Sequence, residues 1–573
     1  MQIQLSKLSV EAAEIMQFYF IFAGFILSFT GSSSGLVDID PDVFEDKVTK
    51  YVNAGLGCHN NPGLSLSVVK DRKILLAKGF GHRALDKLEP VTNETLFGIA
   101  SLSKAFAATL LLKQIEENDS LSLSTKVKDI LNRDDIFEDY LRSRYTTLED
   151  LLSHRLGIPS NNNIRLDDTL TRANLVDRLK FLSPKGGFRT SFTYSNLMYG
   201  LITYISEVLG KNSWEALVKE KLFDPLEMTS STFVTTAESK DLQNFAVGYQ
   251  DRYGTLVPVP LEFSRRWGLL CGSGCVISNA VDMANWMIFH LNDGRNKDNR
   301  RVLDSSILDD AHTPQNSLSY SSIAKYYTRP TTPVTLSHTN YGLGWRLGHY
   351  RGYPIITHTG STYGYRTMVT LIPAINAGLF TSLTGDDPSF IFRTNIHLYM
   401  ADLLLGHEPW LDNATVCSFP EPWKTKPDDS PNKRPVTDIA AEKELSEYEG
   451  QFSNTAYGKI EIYLNDSAGY LMAKVGYGRF ILYPKSKADE FYAQGYELME
   501  NIRDFFTLQF SFENGAVTSL RIPSFESKDP PVFNRMESNA SNGTERPKRS
   551  YNASDKTSLN ILCCLIILIA KLF

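Results

Sequence analysis

The sequence predicts an α/β (α+β) protein with one sheet carrying helices on its faces, a helical lobe, and a separate small all-β domain near the C-terminus. Three observations carry that prediction. Strand-like runs occur at both ends of the first 420 residues, a helix-patterned middle lies between them, and beyond a polar break the runs become short and evenly spaced. At 573 residues, with 42% apolar and 22% charged, the composition is globular and the chain too long for one core. The net charge of -6 and the scattered Lys and Arg leave no basic footprint, so nucleic acid is not expected as a partner.

Taken in order, "LSLSVV" (64–69) and "ILLAKGFG" (74–81) flank the polar turn Lys70 to Lys73 and read as a β-hairpin. Four stretches then place apolar residues three and four apart: "LVDRLKFL", "LMYGLITYISEVLG", "SWEALVKEKLF" and "AVDMANWMIFHLNDG". Strands return at "YRTMVTLI" and "GLFTSL", around a turn at Pro373 and Asn376, and "SFIFRTNIHLYMADLLLG" reads as a closing helix. This first domain is bounded at 36–420. Residues 421–438, rich in Pro, Asp and Lys, read as a linker. The runs "KIEIYL", "YLMAKV", "RFILYP", "FFTLQFSF" and "VTSLRI" then predict a small antiparallel barrel or sandwich over 439–526, with a polar tail at 527–558.

Both ends suggest export. An apolar run from Ile15 to Phe29, followed by "TGSSSG", fits a secretory signal cleaved near Gly31 to Gly35 or, alternatively, an uncleaved anchor, within residues 1–34. The final 15 residues, 559–573, follow small residues and a short polar spacer, which suits a glycolipid-anchor signal. A retained membrane helix and a segment paired in a core are the alternatives there. Sequons at Asn93, Asn118, Asn413, Asn465, Asn539, Asn542 and Asn552 agree with an extracellular or cell-surface glycoprotein. Cys58, Cys271, Cys275 and Cys417 form an even set compatible with two disulfides in any of three pairings, or with buried free thiols. Cys271-Gly272-Ser273-Gly274-Cys275 lacks the partner cysteines or histidines of a zinc site, and no cofactor or metal is expected.

The candidate chemistry begins at Ser101-Leu102-Ser103-Lys104. Ser-x-x-Lys also occurs at Ser67, Ser322 and Ser430, so spacing alone does not select it. Ser67 lies in a predicted strand, where i and i+3 face opposite ways, and Ser430 lies in the linker; Ser322 remains a weaker competitor. Ser101 opens a helix whose apolar face is Phe106, Leu110 and Ile115, which places Ser101 and Lys104 on one side of the first turn. Unpaired N–H groups at a helix start favour a developing oxyanion, and a poorly solvated lysine becomes a neutral amine able to take the serine proton. The bland alternative is an N-cap serine beside a surface lysine. Ser103 reads as a spacer.

Tyr194-Ser195-Asn196, just ahead of a helical stretch, and His358-Thr359-Gly360, at the edge of a predicted strand, follow in order. That order resembles the penicillin-recognising serine hydrolases, most closely the class C β-lactamase and D-Ala-D-Ala carboxypeptidase branch and the lactamase-like proteins of animals. The likeness extends through "LFGIASLSKAF", "LEDLLSHRLGIPS", "FTYSNLMYGLI", "LFDPLEMTSSTF", "GSGCVISNAVDMANWM", "YGLGW" and "HTGSTYG". The C-terminal β-domain, through "YEGQFSNTAYGKIEIYL", resembles the lipocalin-like barrel appended to several members.

The resemblance implies an antiparallel sheet and an acyl-enzyme. Ser101 is then the nucleophile, Lys104 its activating neighbour, and Tyr194 the general base and later acid. Asn196 holds the substrate carbonyl side, the N–H groups of Ser101 and Ser361 form the oxyanion hole, and His358, Thr359 and Gly360 line the substrate. His358 stands where many relatives have lysine, which weakens recognition of a substrate carboxylate and makes β-lactamase activity doubtful. His154 is expected to pack beneath the site, and His338, His349 and His397 to be structural. Trp345 and Tyr365 are expected in the core or at a pocket wall. The expected function is hydrolysis of a small-molecule or peptide ester or amide. The rival reading is an extracellular or matrix interaction protein on the same scaffold.

Overall fold

The computed structural model describes residues 40–319, 327–425 and 439–537, apart from 466, 468, 503–505 and 527. Both apolar termini and the Ser322 and Ser430 quartets lie outside the described residues, in whole or in part. Helix α1, Pro41–His59, opens on Asp40, whose carboxylate accepts from the Asp42 N–H at 2.9 Å, and proline sits in its first turn, where no N–H is needed.

The main sheet has nine antiparallel strands. In chain order they are β1 Gly63–Lys70, β2 Lys73–Ala84, β3 Glu89–Pro90, β4 Asn316–Ser317, β5 Leu336–Tyr341, β6 Arg346–Tyr350, β7 Tyr353–Thr362, β8 Tyr365–Ile372 and β9 Ala377–Thr384. Their spatial order is β3-β2-β1-β9-β8-β7-β6-β5-β4, so the first and last strands of the sheet in chain order pair at its centre, Leu64 opposite Leu383 through Lys70 opposite Ala377. Every residue of β9 is buried, as a central strand covered on both faces requires. Leu379 and Leu383 join the core formed with α1 and the closing helix Ile391–Leu404, while Phe380 joins the core on the other side with Met283 and Met287.

The hairpin and the closing helix fall where the sequence places them. The helical middle is more broken: a π turn, Lys219–Phe223, follows a five-residue helix, Trp214–Val218. Two disulfides form, Cys58–Cys417 and Cys271–Cys275, resolving the open pairing. Among the described residues no helix is long and apolar enough to cross a membrane. Asn93, Asn118 and Asn413 of the sequons are exposed.

The C-terminal part is a closed eight-stranded barrel of β10 Gly450–Asn454, β11 Gly458–Asn465, β12 Tyr470–Val475, β13 Gly478–Pro484, β14 Glu490–Tyr496, β15 Phe506–Glu513, β16 Ala516–Arg521 and β17 Val532–Arg535. Strand β17 corrects the expected boundary at 526: the segment beyond it supplies the strand that pairs with both β10 and β16 and closes the barrel. Phe533, fully buried, is the one aromatic plug in an otherwise polar stretch, too little pattern to mark a strand. The barrel belongs to the same compact unit as the sheet, which extends to Arg535. It contacts the helical lobe through Asn161 Nδ2 donating to Tyr457 Oη at 2.7 Å and the Tyr477 N–H donating to Leu166 O at 3.2 Å.

Candidate active site

A small antiparallel ribbon sets the nucleophile in place. Phe97–Gly98 pairs with Val276–Ser278, and the Ile99 N–H donates to Val276 O at 2.9 Å. The chain then makes one 3-10 turn, Ala100–Leu102, and enters α2, Ser103–Glu116. Ala100 has φ 49°, a left-handed conformation that is strained for a residue with a Cβ and is held only because its surroundings over-determine it. Gly360 on β7 packs against this turn: a Cβ there would lie 2.5 Å from Ile99 O and 3.1 Å from Ala100 Cβ.

α2 differs from the amphipathic helix expected. Ser103 to Leu112 are all buried, so the helix has no solvated side on which Lys104 can rest. Ser103 is also more than a spacer, because its hydroxyl accepts from the Val276 N–H at 3.1 Å and ties the helix to the ribbon.

Lys104, fully buried, reaches three oxygens: Ser101 Oγ at 3.1 Å, Asn196 Oδ1 at 2.7 Å and Ser273 O at 2.9 Å. Burial first, then the charges of Arg165 and Arg346, hold its ammonium well below the ordinary lysine range. The amine lies 4.8 Å from the Tyr194 ring centre and 5.4 Å from that of Tyr199. Burial pushes the Tyr194 phenol up to about 12, against a hydrogen bond with Ser101 and the Arg346 charge, which act the other way.

Asn196 begins helix α3, Asn196–Gly210, and its side chain bridges two partners: Oδ1 accepts from Lys104 while Nδ2 donates to Asn162 Oδ1 at 3.0 Å. His358 lies well inside the ten-residue β7 rather than at a strand edge, and it is buried. Its Nδ1 faces Thr359 O at 2.8 Å, an atom that can only accept, so Nδ1 carries the proton and Nε2 accepts from Tyr341 Oη at 3.0 Å. Burial, with Arg346 and Lys104 nearby, keeps this imidazole neutral. Thr359 is half-buried, Gly360 buried and Ser361 exposed. Arg393, from the closing helix, donates to Gly360 O and to Ser361 Oγ, which fixes the end of β7.

His154 packs beneath Tyr194, ring centres 4.5 Å apart, and its Nδ1 accepts from the Ser195 N–H at 3.1 Å. Trp345 is core, and Tyr365 is buried with its hydroxyl on Ala246 O. His338 and His397 are buried structural residues, whereas His349 is exposed. A cleft of about 330 Å³ adjoins Asn196 and Ser361 and is walled by Asn162, Gln250, Trp267, Tyr363 and Arg366. Asn162, Arg165, Ser273 and Arg346 are the residues that sequence reasoning missed. None has a motif spacing to Ser101, and only the Cys271–Cys275 spacing marks the short loop that carries Ser273.

An antiparallel sheet beside a helical lobe, with a half-buried serine in the turn that leads into the helix between them and the buried lysine of Ser-x-x-Lys in its first turn, defines the architecture shared by serine β-lactamases and penicillin-binding proteins. The β-lactamase family model matches residues 48–401, and the chain belongs to that family. It is 39% identical over 233 residues to Gigasin-6 of Magallana gigas, covering 40% of this chain and 77% of that one. It is 27% identical over 474 residues to the unguisins hydrolase ungD of Aspergillus violaceofuscus, covering 76% and 79%. Penicillin-binding protein 4 of Amycolatopsis lactamdurans matches at 27% over 345 residues, covering 57% and 84%. In fold, the chain resembles the octameric penicillin-binding protein homologue from Pyrococcus abyssi, at TM-score 0.53 and 22% identity, over 85% of this chain and 99% of that one.

Proposed function

We propose that the protein is a serine hydrolase that acts through an acyl-enzyme on Ser101, with an ester, amide or short peptide as substrate. One observation carries this reading: the Lys104 amine lies 3.1 Å from Ser101 Oγ, fully buried and disfavoured in its charged form. The neutral amine takes the Ser101 proton as Oγ attacks the substrate carbonyl. The N–H groups of Ser101 and Ser361 are assigned to the oxyanion, supported by the close packing of Gly360 on the Ile99–Ala100 turn.

The Tyr194 phenol, protonated at neutral pH, donates to the leaving alcohol or amine and is restored from Lys104. This gives the first proton abstraction to Lys104 rather than to Tyr194, because burial raises the proton affinity of the phenol and lowers that of the amine. Water then attacks the acyl carbonyl, releasing the carboxylic acid and returning Ser101. Asn196 orients both Lys104 and the substrate carbonyl side, and Thr359 and Gly360 line the acyl group. With His358 neutral, no cation stands where many relatives have lysine, so β-lactam hydrolysis is not part of the proposal. The assembled Ser101, Lys104, Tyr194 and Asn196 favour catalysis over a purely structural scaffold.

A serine-reactive phosphonate and a generic ester assay, each comparing wild type with Ser101→Ala, test the assignment. Loss of labelling and turnover is expected; equal signal in both proteins would falsify it.

A further inference from the structure

We propose that Arg165, together with the disulfide-closed loop Cys271–Cys275 that it grips, is a positioning device for the Lys104 amine, and that Arg165 acts through its charge as well as its hydrogen bonds. The proposal rests on Ser101 and Lys104 working as described above. Arg165 is 6% exposed, donates through Nη2 to Ser273 Oγ at 2.8 Å and through Nη1 to Trp267 O at 2.8 Å, and lies 5.4 Å from the Trp267 ring centre. Its Nε is buried and unpartnered.

The other deeply buried arginines of the fold face acids. Arg142 pairs with Asp139, Arg178 with Asp167, and Arg393 with Asp387. Among the described residues Arg165 has no such pair, and an unpaired buried charge is costly to keep. A neutral side chain of similar length would fill the space at less cost. What the charge reaches is Lys104. The groups facing the amine are the Tyr194 and Tyr199 phenols, the His154 and His358 imidazoles, and the Arg165 and Arg346 guanidinium groups, with no carboxylate among them. Burial keeps the imidazoles neutral and the phenols protonated, so the two guanidinium charges oppose the protonation of Lys104, Arg165 more strongly than Arg346.

The geometry completes the argument. A neutral amine has two hydrogens and one lone pair. Asn196 Oδ1 and Ser273 O take the hydrogens, which turns the lone pair to the Ser101 hydroxyl. Ser273 O holds its place because the Cys271–Cys275 bridge closes a five-residue loop around it. The Gly272 N–H also donates to Thr203 Oγ1 at 2.9 Å on α3, and the Ser273 hydroxyl donates to Leu270 O at 2.7 Å. Arg165 grips the same residue from outside.

The test is the pH dependence of phosphonate labelling of Ser101 in the full-length protein, with melting temperature recorded for each variant. In Arg165→Met the acid limb is expected to move up by about half to one pH unit, and labelling at neutral pH to slow by about 10- to 100-fold. Arg165→Lys is expected to keep the acid limb of the wild type, because the charge remains. Cys271→Ala with Cys275→Ala is expected to slow labelling without moving the limb. An acid limb unmoved in folded Arg165→Met overturns the proposal, and Arg165→Gln supplies the same reading should the methionine variant not fold. Labelling that survives Ser101→Ala removes the hydrolase reading instead, so the two failures are distinguishable.

Discussion

Lys104 sets the direction in which this protein responds to pH. Its folded-state pKa is lowered by burial, so the native protein holds the amine with fewer protons than the unfolded chain, whose lysine titrates near its ordinary value of about 10.4. Native stability therefore rises with pH across the window between the lowered value and about 10.4, as the unfolded chain gives up the proton that the native site excludes. Denaturant midpoints of wild type and Lys104→Met over a pH series check this: the difference shifts in favour of wild type as pH rises through that window. A pH-independent difference would mean that the amine is charged in the native state. At this scale Ser101, Lys104, Tyr194 and Asn196 were legible because each sits in a short motif whose order survives in the sequence. Arg165, Ser273 and Asn162 were not, because packing of the lobe against the Cys271–Cys275 loop, rather than any spacing, brings them to the amine.

Among the elements, the contact between β7 and the turn at Ala100 matters most to the site. Replacing Gly360 by alanine would drive a Cβ to 2.5 Å from Ile99 O and 2.1 Å from Thr367 Oγ1, so strand and turn must separate. Gly360→Ala is expected to cost about 2 kcal/mol or more of stability and to abolish Ser101 labelling; unfolding curves and labelling at a temperature where the variant is folded measure the two effects. Unimpaired labelling would show that this contact does not shape the proposed oxyanion site. Strands β8 and β9 were readable because a doubly covered strand is a near-continuous apolar run. Barrel strand β17 was not, since four residues with one buried phenylalanine carry no period. The poorly solvated lysine expected at the first turn of α2 is found, but the burial around it extends from Ser103 to Leu112, beyond the apolar face of Phe106, Leu110 and Ile115, because Ser103, Lys104 and Thr109 are polar in the sequence and buried in the fold.

At the scale of the molecule, the longest covalent constraint among the described residues is Cys58–Cys417, which joins α1 to a residue 359 positions later. It ties the segment leading into β1 to the segment that follows the closing helix, and loop closure over so long a loop sets an upper limit of about 6 kcal/mol on its contribution. Cys58→Ser with Cys417→Ser is expected to lower the denaturant midpoint while leaving Ser101 labelling unchanged at low denaturant, because Cys417 packs with the core of α1 and the closing helix and α2 with the other core; an unchanged midpoint would show that the bridge adds nothing to the native fold. The general plan of sheet, helical lobe and barrel was legible from where the periodicity changes. The pairing of the cysteines was not, since any of three pairings fits the sequence.

The sheet also ends in an unusual way. Its outermost strands, β3 and β4, are each two residues long, and β3 ends in Pro90, which has no N–H to offer. A wide sheet with long free margins invites a neighbouring chain to add a strand and so begin to aggregate. Here β3 covers only the His82–Ala84 end of β2, so the outer edge of β2 from Lys73 to Gly81 has no strand partner among the described residues, while the barrel closes on itself. Lys73 and Lys78 stand on that open edge, and charged side chains there discourage a neighbouring chain from adding a strand where no strand covers the ladder.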